Sequence, residues 1–177
     1  MKLGDLVTSQ KIIINPSQFH TFKYSVGLKE IEKNTGIINP LKLNNNYPKS
    51  AKYFFPKNSI LFGRIRPKLK KCGVSNFEGI CSLDISVLLA NDEIKPDLIA
   101  LILRGSKASK YIHSLQSGTS FPRIREDDLL NFDLSFISNE MFSELVEIAS
   151  IISQMRKNIN NIKNNCLEIE SKLNIFI

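Results

Sequence analysis

Apolar positions along this chain fall into two regimes. Up to residue 137 they come in short clusters broken by Pro, Gly and Asn; beyond it they recur every three or four residues without interruption. Leu3 to Ile14, rich in Val and Ile, predicts one or two short strands closed by Pro16-Ser17. Thr21 to Leu28 carries β-branched and aromatic residues of a strand, and Leu28 to Glu32 predicts a single helical turn ending at Asn34-Thr35-Gly36. Asn39 to Pro48 reads as a loop. Tyr53-Phe54-Phe55-Pro56 and Ser59-Ile60-Leu61-Phe62 read as strand ends around a turn, and Cys81 to Ala90 as one buried strand. Pro96 suits the first turn of a helix over Asp97–Arg104, with another over Ser106–Leu115. Gly118-Thr119-Ser120 predicts a loop and Leu129–Phe136 a last strand.

The second regime is one long helix. Met141, Leu145, Ile148, Ile152, Met155, Ile159, Ile162, Cys166, Ile169, Leu173 and Phe176 are spaced alternately four and three apart, and no Pro or Gly follows Ser138. That is a heptad seam of about five repeats. Ser138 or Asn139 can cap it, and Glu140, Glu144 and Glu147 suit its positive end. At ~1.5 Å per residue, Asn139 to Phe176 makes a rod about 57 Å long. Such a rod outruns a body of about 140 residues, so its distal half requires another helix as partner. The expected dimerisation residues are Leu145, Ile148, Ile152, Met155, Ile159, Ile162, Ile169 and Leu173. The expected architecture is α+β: a mixed domain over residues 1–137 and a coiled-coil helix over 138–177.

Charge changes the picture more than composition does. The 177 residues are 42% hydrophobic, enough to build a core, and the net charge is +7. Lys49 to Gly73 holds eight basic residues and no acid, so that window carries +8 and the remainder 7 − 8 = −1. Leu98 to Arg125 is likewise without acid and holds Arg104, Lys107, Lys110, Arg123 and Arg125. Two such stretches point to a polyanionic partner, most often nucleic acid. The longest apolar run, Leu98–Leu103, is far too short to span a bilayer, and the first residues lack a signal-peptide core. Three cysteines without a CxxC pair argue against disulfides and zinc and fit the reducing cytoplasm.

Signatures of catalysis are missing from the sequence. Asn15-Pro16 and Asn39-Pro40 are not followed by the Pro-aromatic pair with which amino-methyltransferases grip a flipped adenine. No glycine loop of the GxG type follows a strand, which argues against a nucleotide or methyl-donor cofactor. Glu93-Ile94-Lys95 lies on the wrong side of Pro96-Asp97 for a metal-dependent nuclease, and His20 and His113 lack acid or Cys neighbours at ligand spacing. No catalytic residue, metal ligand or cofactor is expected.

Three segments carry a family resemblance. Leu3-Gly4-Asp5-Leu6 with Tyr24–Gly36 (YSVGLKEIEKNTG), then Phe54–Lys71 (FFPKNSILFGRIRPKLKK), then Ser117–Leu134 (SGTSFPRIREDDLLNFDL) resemble, in that order, target recognition domains in specificity subunits of type I restriction–modification systems. The resemblance implies a non-catalytic DNA-reading module whose long helix pairs antiparallel with a second one as a spacer. It also implies a methyltransferase (modification) subunit as partner. A complete subunit of that family has two domains and two helices, so one domain and one helix make a half-subunit that homodimerises. Arg64, Arg66, Arg123 and Arg125 can fork onto guanine O6 and N7, while Lys68, Lys70 and Lys71 serve better as phosphate anchors, with Thr119 and Ser120 as hydroxyl donors. Two other readings remain open: the recognition domain of a single-chain restriction–methylation enzyme, and a coiled-coil scaffold that binds nucleic acid without sequence choice.

Overall fold

The structure, a computed structural model, describes residues 1–44, 47–91, 94–115 and 122–173. The strands are β1 (Val7–Gln10), β2 (Ile13–Ile14), β3 (Tyr24–Val26), β4 (Leu41–Lys42), β5 (Lys52–Phe55), β6 (Ile60–Gly63), β7 (Cys72–Val74), β8 (Gly79–Cys81) and β9 (Ile85–Ala90). The helices are α1 (Pro96–Arg104), α2 (Ser106–Ser114), α3 (Glu126–Leu130) and α4 (Asn139–Leu173). One sheet has the order β1-β9-β6-β7 and is antiparallel throughout, with Leu61 opposite Val87 and Thr8 opposite Leu89. The other has the order β2-β5-β8-β3-β4, with β3 and β8 parallel.

The first sheet is the middle layer, and its strands show why. All of β6, Ile60-Leu61-Phe62-Gly63, is buried. Period-two alternation sends Ile60 and Phe62 into a core shared with the helices, and Leu61 into a second core shared with the other sheet. Strand β9 divides the same way, Leu88 to the helical side and Ile85 and Val87 to the sheet side. A strand covered on both faces is apolar throughout, which is the pattern that made β6 and β9 visible in the sequence.

Helix α1 is the buried helix of the other layer. Pro96 starts it and Asp97 sits at its positive end. Leu98, Ile99, Ala100, Ile102 and Leu103 are all buried, because α1 is wedged between the first sheet and α4. Each large side chain among them contributes ~1.5–3 kcal/mol by leaving water. Arg104 ends this helix and is buried too, its Nη1 donating to the Cys72 carbonyl at 2.7 Å. Gly73 sits at this junction because a Cβ there would lie 2.1 Å from the Gly36 carbonyl oxygen.

Helix α4 begins where Ser138 Oγ accepts the Met141 N–H at 3.2 Å. Its first turns pack on the helical core through half-buried Phe142, Leu145 and Val146 and fully buried Ala149. Arg156 then clamps it down: Nη1 pairs with Asp97 Oδ1 at 3.0 Å, and Nη2 donates to the Thr35 carbonyl at 2.7 Å. Past that clamp every described side chain, from Asn158 on, is exposed.

Several local expectations fail for physical reasons. Leu28–Glu32 is a turn rather than a helical one: Ile31 bridges Ile38, and Asn34 and Gly36 take positive φ to close the loop between them. The predicted strand at Leu129–Phe136 is α3 followed by a turn. Glu126, Asp127 and Asp128 crowd its first turn, where acids stabilise a helix start, and Leu129, Phe132 and Leu134 are buried in the helical core. Cys81–Ala90 is two strands, since Ser82–Asp84 carries the chain from one sheet to the other. Part of the expected loop at Asn39–Pro48 is the edge strand β4.

Candidate nucleic-acid interface

Two basic segments and one acidic crossing loop meet at one end of the middle sheet. As the chain leaves β6, Ile65 bridges Arg123, the Arg66 N–H donates to the Pro122 carbonyl at 2.9 Å, and the Ile124 N–H to the Arg64 carbonyl at 3.1 Å. On the other side the Arg64 N–H donates to the Asp84 carbonyl at 2.8 Å. Residues 64–71, 82–84 and 122–125 are thereby neighbours although up to sixty positions apart in sequence. Buried Ile124 anchors the 122–125 segment from below.

The turn that presents the lysines is strained. Arg66 (φ 47°) and Lys70 (φ 51°) both adopt left-handed backbone around a short 3-10 turn at Pro67–Leu69. Without a glycine, each costs about 1–2 kcal/mol. Bonds from the Leu69 N–H to the Arg66 carbonyl and from the Lys70 N–H to the Pro67 carbonyl, both 2.9 Å, hold the turn. The turn packs against α2, and Arg66 and Lys68 stand exposed with Lys70 half-buried. Lys71 is different: its ammonium donates to the Leu28 carbonyl, and burial lowers its pKa.

The arginines are held by acceptors at the same end of the sheet. Arg64 Nη2 donates to the Leu83 carbonyl, whereas its Nε is buried with no partner among the described residues. Arg123 Nη2 pairs with Asp84 Oδ1 at 3.1 Å, and Arg125 is bidentate to Asp128 at 2.9 and 3.1 Å. Hydrogen bonds from Arg125 hold the Asp128 carboxyl below the usual carboxylate range. Behind them, buried Glu126 ties α3 to β1. Burial opposes its charge, but the Lys11 ammonium at 2.8 Å and the Ser9 hydroxyl outweigh that and keep its pKa low. Thr119 and Ser120 lie outside the described residues. Arg104, part of the second acid-free stretch, is a buried structural group, and Lys107 lies over the Phe136 ring at 4.0 Å.

The helix seam divides between two tasks. Leu145 and Ile152 are half-buried against their own domain, while Ile148, Met155, Ile159, Ile162 and Ile169 stand exposed; the side chain of Leu173 is not among those described. Met141, Ile151 and Leu167 are exposed beside them. The sequence pattern did not distinguish the domain-facing set, Phe142, Leu145, Val146, Ala149 and Arg156, from the outward stripe. Asp84 and Asp128 carry no sequence signal, because nothing near them in the chain marks an acid that will face an arginine. Among the described residues no cluster of His, Cys, Asp or Glu could hold a metal, and no helix is long and apolar enough to cross a membrane.

No protein-family model and no curated protein matches the chain. Solved structures do. One is described as the HsdS subunit from Thermoanaerobacter tengcongensis, with TM-score 0.67 and 19% identity over 97% of this chain and 45% of that one. Another belongs to work on complex assembly and conformational transition of the type I R-M system, with TM-score 0.66 and 19% identity over 97% of this chain and 44% of that one. The chain spans less than half the length of either. Its mixed helix-and-strand fold, C-terminal helix included, is therefore that of a portion of an HsdS subunit, the family its three sequence segments resemble.

Proposed function

We propose that this chain is a non-catalytic, sequence-specific DNA recognition module of a restriction–modification system. It reads one half of a gapped duplex site and recruits a methyltransferase subunit. The observation that carries this reading is the meeting of Arg64, Arg66, Lys68, Lys70 and Arg123 at one sheet end, in a fold shared with HsdS. Lysines on the strained turn contact phosphates and supply affinity, and the arginines contact base edges and supply sequence choice. The outward stripe of α4 pairs antiparallel with a second copy, so the two recognition domains stand at opposite ends of a rod. The described part of that rod, Asn139–Leu173, is 35 residues or about 52 Å long.

Methylome sequencing tests the reading directly. A host carrying a methyltransferase subunit is compared with and without this gene. The expected outcome is a new methylated motif that is an inverted repeat with a gap. An asymmetric motif would mean that α4 pairs with something other than its own copy, as in a single-chain enzyme. No new motif, with duplex binding indifferent to sequence, would leave the non-specific scaffold.

A further inference from the structure

Where the two acid-free stretches meet, at Arg64–Arg66 and Arg123, the fold supplies a carboxylate from elsewhere in the chain. Lys49–Gly73 and Leu98–Arg125 contain no acid, yet the fold brings Asp84 between them, where Arg123 Nη2 meets Asp84 Oδ1 at 3.1 Å. For a surface that contacts phosphates, this charge is unfavourable. Nor does stability explain it: the two side chains are 51% and 34% exposed, and ion pairs that wet add little. The loop does not depend on the carboxylate either. Ser82 Oγ accepts the Asp84 N–H at 3.2 Å, the Ser82 carbonyl accepts the Ile85 N–H at 3.0 Å, and the Asp84 carbonyl is taken by Arg64.

We propose that Asp84 is a positioning residue for base readout, its carboxylate fixing the Arg123 guanidinium so that this arginine selects a guanine. The inference rests on the DNA-recognition reading above. An unrestrained arginine samples many rotamers and settles on any phosphate within reach. One whose Nη2 is held presents its remaining N–H groups in a set direction, and less entropy is lost when they fork onto O6 and N7. The same loop holds a second guanidinium, since Leu83 accepts from Arg64, whose buried Nε has no partner among the described residues. The Ile65–Arg123 bridge joins the two backbones. Two arginines are thus oriented by two consecutive residues, 83 and 84. The Arg125–Asp128 pair is not equivalent: it is three residues apart on the first turn of α3, and Arg125 is 83% exposed.

Selection of the full chain on a randomised duplex DNA library, followed by competition between the selected and an unrelated duplex, tests this. Asp84→Asn removes a negative charge, so affinity for the unrelated duplex rises several-fold, while the ratio of selected to unrelated binding falls about tenfold. The loss is concentrated at one base position of the selected motif. Asp84→Glu recovers part of the ratio. In an Arg123→Ala background, Asp84→Asn no longer changes base preference. A merely structural role predicts instead that both affinities fall together with thermal stability, and that outcome overturns the proposal. So does an Asp84→Asn protein with an unaltered motif and ratio, which leaves DNA recognition itself intact. Wild-type protein that selects no motif removes both.

Discussion

The outward stripe of α4 makes a quantitative demand. Ile159 and Ile162 are 52% and 62% exposed and lie beyond the Arg156 clamp, so replacing both by Lys leaves the folded monomer unstrained. Fully burying an isoleucine contributes ~1.5–3 kcal/mol, so covering the exposed half of one contributes ~1 kcal/mol. Pairing two chains covers four such side chains, or ~4 kcal/mol, which is about a thousandfold in Kd. Desolvating four ammonium groups adds to that loss. Sedimentation velocity at tens of micromolar should show wild type associated and the Ile159→Lys/Ile162→Lys protein monomeric. Far-ultraviolet circular dichroism should still show a folded domain, with any loss confined to the helical signal of distal α4, and the melting temperature should lose its dependence on protein concentration. Ile152→Lys is a poorer probe, because Ile152 is half-buried against its own domain and its loss mixes folding with association. A wild type that is monomeric at these concentrations, or a double variant that still associates, refutes the pairing argument.

Three further outcomes follow from the site and its supports. Lys68→Ala and Lys70→Ala should each flatten the dependence of log K on log salt for duplex DNA by about 0.9, and Lys71→Ala by less, since its ammonium is engaged with Leu28. The low pKa of folded Glu126 means its contribution is complete above the ordinary carboxylate pKa and is lost as pH falls through the folded value; Glu126→Gln should therefore flatten the acid limb of denaturation midpoints measured from pH 7 to 3. Burial pushes the Cys72 and Cys81 thiols up to about 12, so a thiol reagent at neutral pH should spare both in the native protein, label Cys166 faster in the monomeric double variant than in the associated wild type, and label all three cysteines in denaturant.

Elements that bury two faces are legible from their composition, and α2 and α4 from their helical signals, a period in the case of α4. Strands β6 and β9 and the middle of helix α1 (Leu98–Leu103) are almost wholly apolar because they have neighbours on both sides, and their residues announce it without reference to anything distant. Strand β7, Cys72-Gly73-Val74, carries no such signal; it exists because β6 offers it an edge and Gly73 lets the Gly36 loop lie against it. Acids that cap α3 and apolar residues that serve the helical core overlap around residues 126–134, and local alternation there misread a helix as a strand. The arginines of the candidate interface were visible as charge. Their acceptors were not, because Asp84 and Leu83 reach them only through the crossing between the two sheets.

A helix bolted to its domain at Arg156 behaves as a screw thread. Each residue beyond the bolt advances the rod by ~1.5 Å but also turns it by ~100°, so pitch and azimuth cannot be altered separately. One inserted residue after Arg156 would swing Ile159, Ile162 and Ile169 together by about 100°, off the line of Ile148 and Met155, and break the stripe at the bolt. Seven residues fall only about 20° short of two whole turns, and eleven overshoot three turns by about as much. Changes in the reach of this arm are therefore quantised: length variants that keep a partner helix in register differ by whole threads of the screw, and intermediate ones lose the partner before they lengthen the rod.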